Sequence, residues 1–343
     1  MNRTARHYVL LALGLAVCLT GGLALLNLIV DPFNRYGNNR LGVYISAERE
    51  CKSTYVKRFP HDALLVGNSR EIRIPPKELE GFRFFNGAFS GATAEEIYFF
   101  LQRYAHHQRL VVLAVDIGAQ DPAESHGDIF APKGLTSAFD NLFNLQTTEY
   151  SIRTISESLS KNPQPFGPDG LMPVGSSVQD ADRDDPAKEA YVIKSMQNMW
   201  AGYHCPPVEQ MSFFVKISGC LRQRAIPCVV VIPPTHEAIA RSAQGGSTAA
   251  EVAAWKRQLG TIFPHVIDLS FSTYNAATNF YRSDPLHFKP EVGVRLMNRE
   301  VIPYATRLLR ETNPISIPRL QSSGRGDQDV AQVAAKVNLE MPK

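Results

Sequence analysis

Five short apolar runs alternate with longer amphipathic stretches, and this alternation most narrows the folds open to the chain. The runs are Ala63–Val66, Phe82–Phe85, Leu110–Val115, Cys228–Ile232 and Val266–Leu269. The third run is continuously apolar and rich in β-branched residues, which is typical of a strand buried on both faces. Strands that alternate with helices predict a parallel sheet with helices on both faces. We therefore expect an α/β fold built as a three-layer αβα sandwich.

A serine follows the first predicted strand in a tight turn. The chain reads Gly67-Asn68-Ser69 there, and a polar, helix-compatible stretch comes next. Glycine relieves the steric limit on such a turn. A serine at a helix N-terminus lies among free backbone N–H groups, which can stabilise an oxyanion. Serines that only cap a helix are common after turns, so a capping role for Ser69 is the alternative.

A second polar motif lies near the C-terminus, just before a predicted final helix that starts at Pro290. It reads Asp284-Pro285-Leu286-His287. A serine nucleophile needs a base, and the base needs a residue that orients it. Ser69, His287 and Asp284 fit these three roles, and loops at the carboxyl ends of parallel strands gather in one crevice. In the alternative, Asp284 and His287 cap the final helix and pack beneath it.

The two motifs, in this order and spacing, resemble the SGNH (GDSL-like) hydrolase superfamily from roughly residue 63 to 309. The superfamily usually has Gly-Asp-Ser at the nucleophile, and Asn68 stands here in place of the aspartate. The similarity is greatest to membrane-anchored members that handle acyl groups on cell-envelope polymers, such as the DltD-like and alginate-acetylation proteins. The resemblance implies a flavodoxin-like sheet and a Ser-His-Asp esterase or O-acyltransferase that needs no cofactor. It also implies a polysaccharide or other acylated envelope polymer as substrate, and possible cooperation with a membrane-bound acyltransferase.

The resemblance further implies an oxyanion hole made by the N–H groups of Ser69 and Gly91 and by one side-chain amide. Gly91 matches the second motif of the superfamily well. The third motif normally reads Gly-x-Asn-Asp, whereas this chain has Gln120 where the asparagine is expected. A glutamine donates the same N–H from a longer arm, so the hole can survive the exchange. The departure keeps open a second hypothesis, in which a degenerate SGNH-like domain binds a polymer or docks on an acyltransferase without catalysis.

Four further polar residues are candidates for lining the site or meeting a substrate. Asn68 precedes the serine, and Asp116 ends the third predicted strand, where a structural role is the alternative. Arg70 and Arg73 have the charge to meet an anionic polymer, although solvated charges on a helix are the simpler interpretation. A third, weaker hypothesis is a lipid esterase that works beside the bilayer.

An apolar segment from Tyr8 to Val30 precedes the α/β pattern. About 20 apolar residues suffice to cross a bilayer as a helix. Arg3 and Arg6 precede the segment and Asp31 follows it, which favours an N-terminus inside the cell and a main domain outside the cytoplasm. We therefore expect a single-pass inner-membrane protein with an extracytoplasmic (periplasmic) domain. A cleaved signal peptide is the alternative, but the apolar run is long and no Ala-x-Ala site follows it.

These features predict four regions. Residues 1–30 form a short cytoplasmic end and the membrane anchor, and residues 31–60 form an irregular linker rich in Asn and Gly. Residues 61–311 form the α/β domain, with an insertion at about 122–207 that either covers the site or is a passive surface loop. Residues 312–343 are polar and are expected to be disordered.

Other functional classes find little support. A net charge of +3 is too small to indicate nucleic-acid binding, so no nucleic-acid partner is expected. No metal site is predicted, because His236-Glu237 lacks the second histidine of a zinc-protease motif. Four cysteines outside the apolar segment are either paired in two disulfides or remain free buried thiols. They are Cys51, Cys205, Cys220 and Cys228.

Overall fold

The computed structural model describes residues 3–44, 48–116, 127–131, 135–172, 184–201 and 208–312. The chain divides into two units at Thr306, and each is described only over the residues given above. The first unit holds the sheet, and the second is described only over residues 307–312, the end of the last helix. The predicted disordered tail and the third motif around Gln120 lie outside the described residues.

Five parallel strands form the central sheet, as the alternation of apolar runs predicts. The strands are β1 (Ala63–Val66), β2 (Phe84–Asn86), β3 (Leu110–Ala114), β4 (Cys228–Ile232) and β5 (Val266–Asp268). Their order across the sheet is β2-β1-β3-β4-β5, and every neighbouring pair is parallel. β1, β2 and β3 are buried at every residue, because helices and loops cover the sheet around them. The predicted α/β class with a parallel sheet is confirmed.

The helices connect the strands and frame the N-terminus. They are α1 (Arg3–Val30), α2 (Glu48–Tyr55), α3 (Ala94–Tyr104), α4 (Leu135–Leu142), α5 (Leu145–Ser158), α6 (Pro186–Ala201), α7 (Val208–Gln223), α8 (Glu237–Ala243), α9 (Gly246–Ile262), α10 (Pro290–Leu296) and α11 (Ile302–Thr312). A wider π-type segment, Met297–Val301, joins α10 to α11. Thr93 and Glu96 form a reciprocal capping box that starts α3 directly after the β2 loop.

The segment from residue 31 to 60 differs from the irregular linker that its Asn and Gly content predicts. It contains α2, and Val43, Cys51, Tyr55 and Val56 belong to the main hydrophobic core. The eight residues of α2 are polar by composition, so their apolar contacts are too few to create a periodic signal. The segment therefore packs onto the domain through these few buried side chains.

A two-stranded hairpin replaces the predicted loop before the final helix. Strand β6 (Phe280–Tyr281) pairs antiparallel with β7 (Asp284–Phe288). Pro290 then starts α10 at its first turn, where a missing N–H costs nothing. The Asp-x-x-His motif thus lies on a strand and does not cap the last helix.

Candidate active site

Ser69 lies in a turn at the carboxyl end of β1, the strand with β2 on one side and β3 on the other. In open parallel sheets, ligands bind at such a switch in strand order. Residues 67–74 form successive turns, which we call the nucleophile turn, and the helix predicted to start at Ser69 is not formed. A short 3-10 helix, Pro76–Glu78, follows instead, since Pro75 and Pro76 interrupt the chain there. Ser69 is therefore presented by a turn rather than by a helix N-terminus.

Ser69, His287 and Asp284 form a continuous chain of hydrogen bonds. The distance from Ser69 Oγ to His287 Nε2 is 2.9 Å. His287 Nδ1 lies 2.8 Å from Asp284 Oδ2. The side chains of His287 and Asp284 are 21% and 25% exposed, so the imidazole is reachable from solvent. A serine, a base and an orienting carboxylate in this geometry can activate the hydroxyl as a nucleophile.

The environment of Asp284 keeps its carboxyl ionised. Burial alone would raise its pKa, but the hydrogen bond from His287 and the charges of His287 and Arg73 outweigh burial and lower the pKa below its usual value. Asp284 opens strand β7 directly after the turn at residues 282 and 283. In a regular strand, side chains three residues apart point to opposite faces. Asp284 is the first residue of β7, next to the turn, and its carboxylate still reaches His287. An ionised Asp284 can hold the imidazole in the tautomer that accepts a proton from Ser69.

Arg70 ties the nucleophile turn to strand β7 and to the segments that follow β3 and β4. Its Nε donates to the carbonyl of Leu286 at 3.0 Å, and its Nη2 donates to the carbonyl of Pro234 at 2.6 Å. Its Nη1 pairs with Asp116 Oδ2 at 3.3 Å, and the Arg70 side chain is only 3% exposed. Arg70 and Asp116 were candidates for contacting substrate. The structure instead uses Arg70 as a buried connection between the turn that carries Ser69 and the strand that carries His287.

A buried glutamate supports the nucleophile turn from below. Glu71 Oε2 accepts from the N–H of Asn68 at 3.1 Å, and the Asn68 side chain accepts from the N–H of Arg70 at 3.0 Å. A Cβ on Gly67 would lie 2.6 Å from Glu71 Oε2 and 2.9 Å from the Cβ of Ala114, so only glycine fits. Burial raises the pKa of Glu71 to about 8. Asn68 therefore shapes the turn by bonding its backbone.

The turn that carries Gly91, residues 89–92, follows β2 and is held by α2. We call it the glycine turn. Glu48 accepts from Ser90 N at 2.7 Å and from Ser90 Oγ at 2.6 Å. Arg49 donates to the carbonyl of Ser90 at 3.1 Å and pairs with Glu96. Gly91 adopts φ +61°, a left-handed conformation that favours glycine.

Lys52 lies fully buried beneath the glycine turn. Its ammonium group reaches the carbonyl of Ala88 and lies 3.4 Å from Asn86 Oδ1. Burial lowers the pKa of Lys52 to about 7. Asn86 also donates from Nδ2 to the carbonyls of Glu71 and Ile74, so one amide joins the two turns. Sequence reasoning missed Lys52, Glu48 and Glu71, because nothing in their local pattern signals burial.

The oxyanion donors predicted at Ser69 and Gly91 lie on two separate turns. Neither the N–H of Ser69 nor that of Gly91 bonds to another described residue, which leaves both available to a ligand. The two turns follow neighbouring strands at one edge of the sheet. No hydrogen bond joins Gly91 to the Ser69–His287 pair among the described residues, and Gln120 lies outside them.

The described cysteines are free. Cys51, Cys220 and Cys228 form no disulfide, while Cys205 lies outside the described part of the chain. Burial raises the pKa of the Cys51 thiol above its ordinary range and that of Cys228 to about 12, so both stay protonated and unreactive. Among the described residues, no three His, Cys, Asp or Glu side chains cluster as metal ligands would.

Comparison with protein-family models finds no match to this sequence, and comparison with the curated proteins finds no relative.

Proposed function

We propose that this chain is a serine esterase or O-acyltransferase of the SGNH type. The observation that carries the proposal is the hydrogen-bond chain from Ser69 Oγ through His287 to Asp284, with links of 2.9 and 2.8 Å. The three residues come from one turn and one strand that are more than 200 residues apart in sequence. Hydrogen bonds in this order match the roles of nucleophile, base and orienting carboxylate.

The proposed reaction passes through an acyl-enzyme. Ser69 Oγ attacks the acyl carbonyl of an ester while His287 Nε2 takes the serine proton. The ester C–O bond then breaks, and His287 gives that proton to the departing alcohol. Water or a sugar hydroxyl next loses its proton to His287 and attacks the acyl carbon. The bond from that carbon to Ser69 Oγ then breaks, and His287 returns the proton to Ser69. Water gives net hydrolysis and a sugar hydroxyl gives transfer, so one triad supports both activities.

The oxyanion of each tetrahedral intermediate would be bound by the N–H groups of Ser69 and Gly91. Both groups lack a bonding partner among the described residues, which supports this assignment. Gln120 is the proposed third donor. Losing one such donor typically costs about 10²–10³ in rate, so the exchange of asparagine for glutamine bears on efficiency.

The strand order supports a flavodoxin-like sheet within a three-layer αβα sandwich. The order β2-β1-β3-β4-β5 is the doubly wound arrangement of that fold. In such folds the site lies outside the carboxyl ends of the strands beside the switch point, which here means next to β1 and β3. The position of Ser69 agrees with this expectation.

The N-terminal helix supports a membrane location. α1 is long and apolar enough to cross a bilayer, and its apolar window is not buried in the protein. Arg3 and Arg6 at its start favour an N-terminus inside and a main domain outside the cytoplasm. The substrate we propose is therefore an acylated, most simply acetylated, polysaccharide or other polymer of the cell envelope. A membrane-bound acyltransferase is the proposed partner if the chain transfers acyl groups.

Labelling of the purified full-length protein with a fluorophosphonate probe tests the proposal. We expect the wild type to be labelled and Ser69→Ala and His287→Ala to be unlabelled. Ser158→Ala is the matched control, because Ser158 only bonds the Ile155 carbonyl on α5. Turnover of p-nitrophenyl acetate should fall by about 10³-fold or more in the two triad variants. Rising concentrations of a sugar acceptor then separate transfer from hydrolysis.

A folded wild type that is not labelled would overturn the esterase proposal. It would favour the alternative of a degenerate SGNH-like domain that binds an envelope polymer or an assembly partner. The exchange at Gln120 is the feature that favours this alternative. Affinity for acetylated polysaccharides, unchanged by Ser69→Ala, would then be the expected result.

A further inference from the structure

The last turns of α1 are covered by the α4–α5 pair, whereas the rest of α1 is bare. Residues from Arg3 to Gly22 are exposed. From Leu23 onward most residues are partly covered, Asn27 and Val30 are buried, and Leu25 and Ile29 stay exposed. The covering helices thus meet α1 only near its C-terminal end. The 18-residue apolar window of α1 that is able to cross a bilayer contains no buried residue.

Polar bonds fix the α4–α5 junction to α1 at one level. Asn27 Nδ2 donates to the carbonyl of Leu142 at 2.9 Å and to Thr148 Oγ1 at 3.0 Å. Ser151 Oγ donates to Asn27 Oδ1 at 2.9 Å. Bonds that satisfy both ends of a buried amide leave little freedom for the junction to move along the helix.

The exit of α1 into the domain is equally well fixed. Asp31 is buried, and its carboxylate accepts from the N–H groups of Arg35, Tyr36, Gly37 and Asn38 at 2.7 to 3.2 Å. Phe33 packs edge-on against Tyr150 of α5, with ring centroids 5.6 Å apart. The domain is therefore held close to the end of the helix instead of hanging from a flexible linker.

The length of α1 sets the depth of this junction. A helix rises about 1.5 Å per residue, so about 20 residues cross a hydrocarbon core of about 30 Å. Counted from Tyr8, the first residue after the basic start of α1, this length ends near Asn27. Because the α4–α5 junction is bonded to Asn27, it lies at the far boundary of the hydrocarbon.

Large apolar side chains are exposed at this same junction. Phe139, Phe143 and Leu145 are 62%, 58% and 74% exposed. The N–H of Phe143 bonds the carbonyl of Phe139, so the two rings lie one helical turn apart on one face. Exposing three bulky apolar side chains to water costs free energy. Aromatic rings are favoured in the interfacial layer of a bilayer, and this junction lies beside a helix long enough to span one.

We infer that the α4–α5 junction, through Phe139, Phe143 and Leu145, inserts into the interfacial layer of the bilayer that α1 spans. The occupant of this apolar surface is lipid. The continuity of the surface with the bare face of α1 and its depth at Asn27 support this assignment. Two contacts, one spanning and one interfacial, would hold the domain at a defined height and tilt above the membrane.

Site-specific photocrosslinking tests the inference. The full-length protein carries benzoylphenylalanine in place of Phe143 or Leu145 and is reconstituted into phosphatidylethanolamine–phosphatidylglycerol vesicles. The matched control carries it in place of Tyr191 on α6, which is 74% exposed. After irradiation we expect phospholipid adducts at positions 143 and 145 to exceed those at position 191 several-fold.

Three results would overturn the inference. Adducts no more frequent than at position 191 would mean that the surface faces water. Crosslinks between two copies of the chain would mean that a second copy covers it, and crosslinks to another protein in intact membranes would mean that a partner does. Phe143→Trp provides a second test with a smaller perturbation. Lipids brominated near the head group should quench the fluorescence of this variant more than that of the wild type.

Discussion

The nucleophile turn and the glycine turn lie at the same edge of the sheet, but they are held in different ways. Arg70 fastens the nucleophile turn to the ends of other strands, through Asp116, Pro234 and Leu286. The glycine turn is fastened by α2, through Glu48 and Arg49. The sheet thus positions the proposed nucleophile, whereas the segment that follows the apolar N-terminal helix positions the proposed oxyanion donor.

Because the nucleophile turn and the glycine turn have different bonding partners, mutations can perturb each of them separately. A change in Arg70 should move Ser69 relative to His287, because Arg70 follows Ser69 and bonds the carbonyl of Leu286, which precedes His287. A change in α2 moves Gly91 and leaves the triad bonds in place. Each turn also has its own buried titratable group, Glu71 beneath the first and Lys52 beneath the second.

Arg70→Met should break the nucleophile turn and have the largest effect. It leaves the carbonyls of Pro234 and Leu286 without their donor in a buried site, which we expect to lower the free energy of unfolding by about 3 kcal/mol. Misplacement of Ser69 by about 1 Å should slow fluorophosphonate labelling by about 10²-fold. Labelling rates and urea denaturation measure the two effects. Arg70→Lys keeps the charge without the three directed bonds, so its labelling rate and stability should lie between those of the wild type and Arg70→Met. A wild-type labelling rate in Arg70→Met would contradict a positioning role for Arg70.

Glu71 should make stability fall as pH rises. Its pKa is about 8 in the folded protein and 4.5 ordinarily. Between these values the folded chain keeps a proton that the unfolded chain has released, so the free energy of unfolding decreases from about pH 4.5 to 8. The slope is at most about 1.4 kcal/mol per pH unit. Urea midpoints measured across this window should show a flatter slope for Glu71→Gln, and an unchanged slope would refute the assignment.

Lys52 should act in the opposite direction at higher pH. Its pKa is about 7 in the folded protein and 10.5 ordinarily. Between these values the unfolded chain holds a proton that the folded chain lacks, so the free energy of unfolding increases from about pH 7 to 10.5. Lys52→Met removes this rise and nearly preserves the volume of the side chain. If the free energy of unfolding of Glu71→Gln and of Lys52→Met depends on pH as it does in the wild type, the two turns do not differ in their buried charge.

Glu48→Gln should loosen the glycine turn with a smaller effect. The amide keeps one acceptor oxygen where the carboxylate offers two to Ser90, so Gly91 loses part of its support. We expect acylation to slow by about tenfold, since a displaced oxyanion donor costs less than the 10²–10³ of a lost one. Glu157→Gln is the matched control, because its pair with Arg153 on α5 is exposed and should contribute less than about 1 kcal/mol. Equal effects of Glu48→Gln and Arg70→Met would remove the contrast between the turns.

Local patterns predicted the parts of the site that depend on neighbours in sequence. Gly67, Asn68 and Ser69 follow a strand in a motif that reads directly as a turn, and the separation of Asp284 from His287 is short enough to join their side chains. The helix expected at Ser69 is not formed, because two prolines follow the turn. The alternative in which Asp284 caps the final helix is not what the structure shows, because the second motif pairs with β6 as a strand. A hairpin strand of two residues carries too little periodicity to be recognised.

The sequence by itself determined the parallel α/β sheet, the apolar N-terminal helix and the identity of the three residues that meet, since strand and helix periodicities are local. Only the tertiary structure decided that Arg70 is buried, because its partners lie 46, 164 and 216 residues away. It likewise decided that α2 belongs to the core and that α4 and α5 meet α1 at Asn27. The burial of a charge depends on which distant groups surround it, and a single stretch of sequence does not contain those groups.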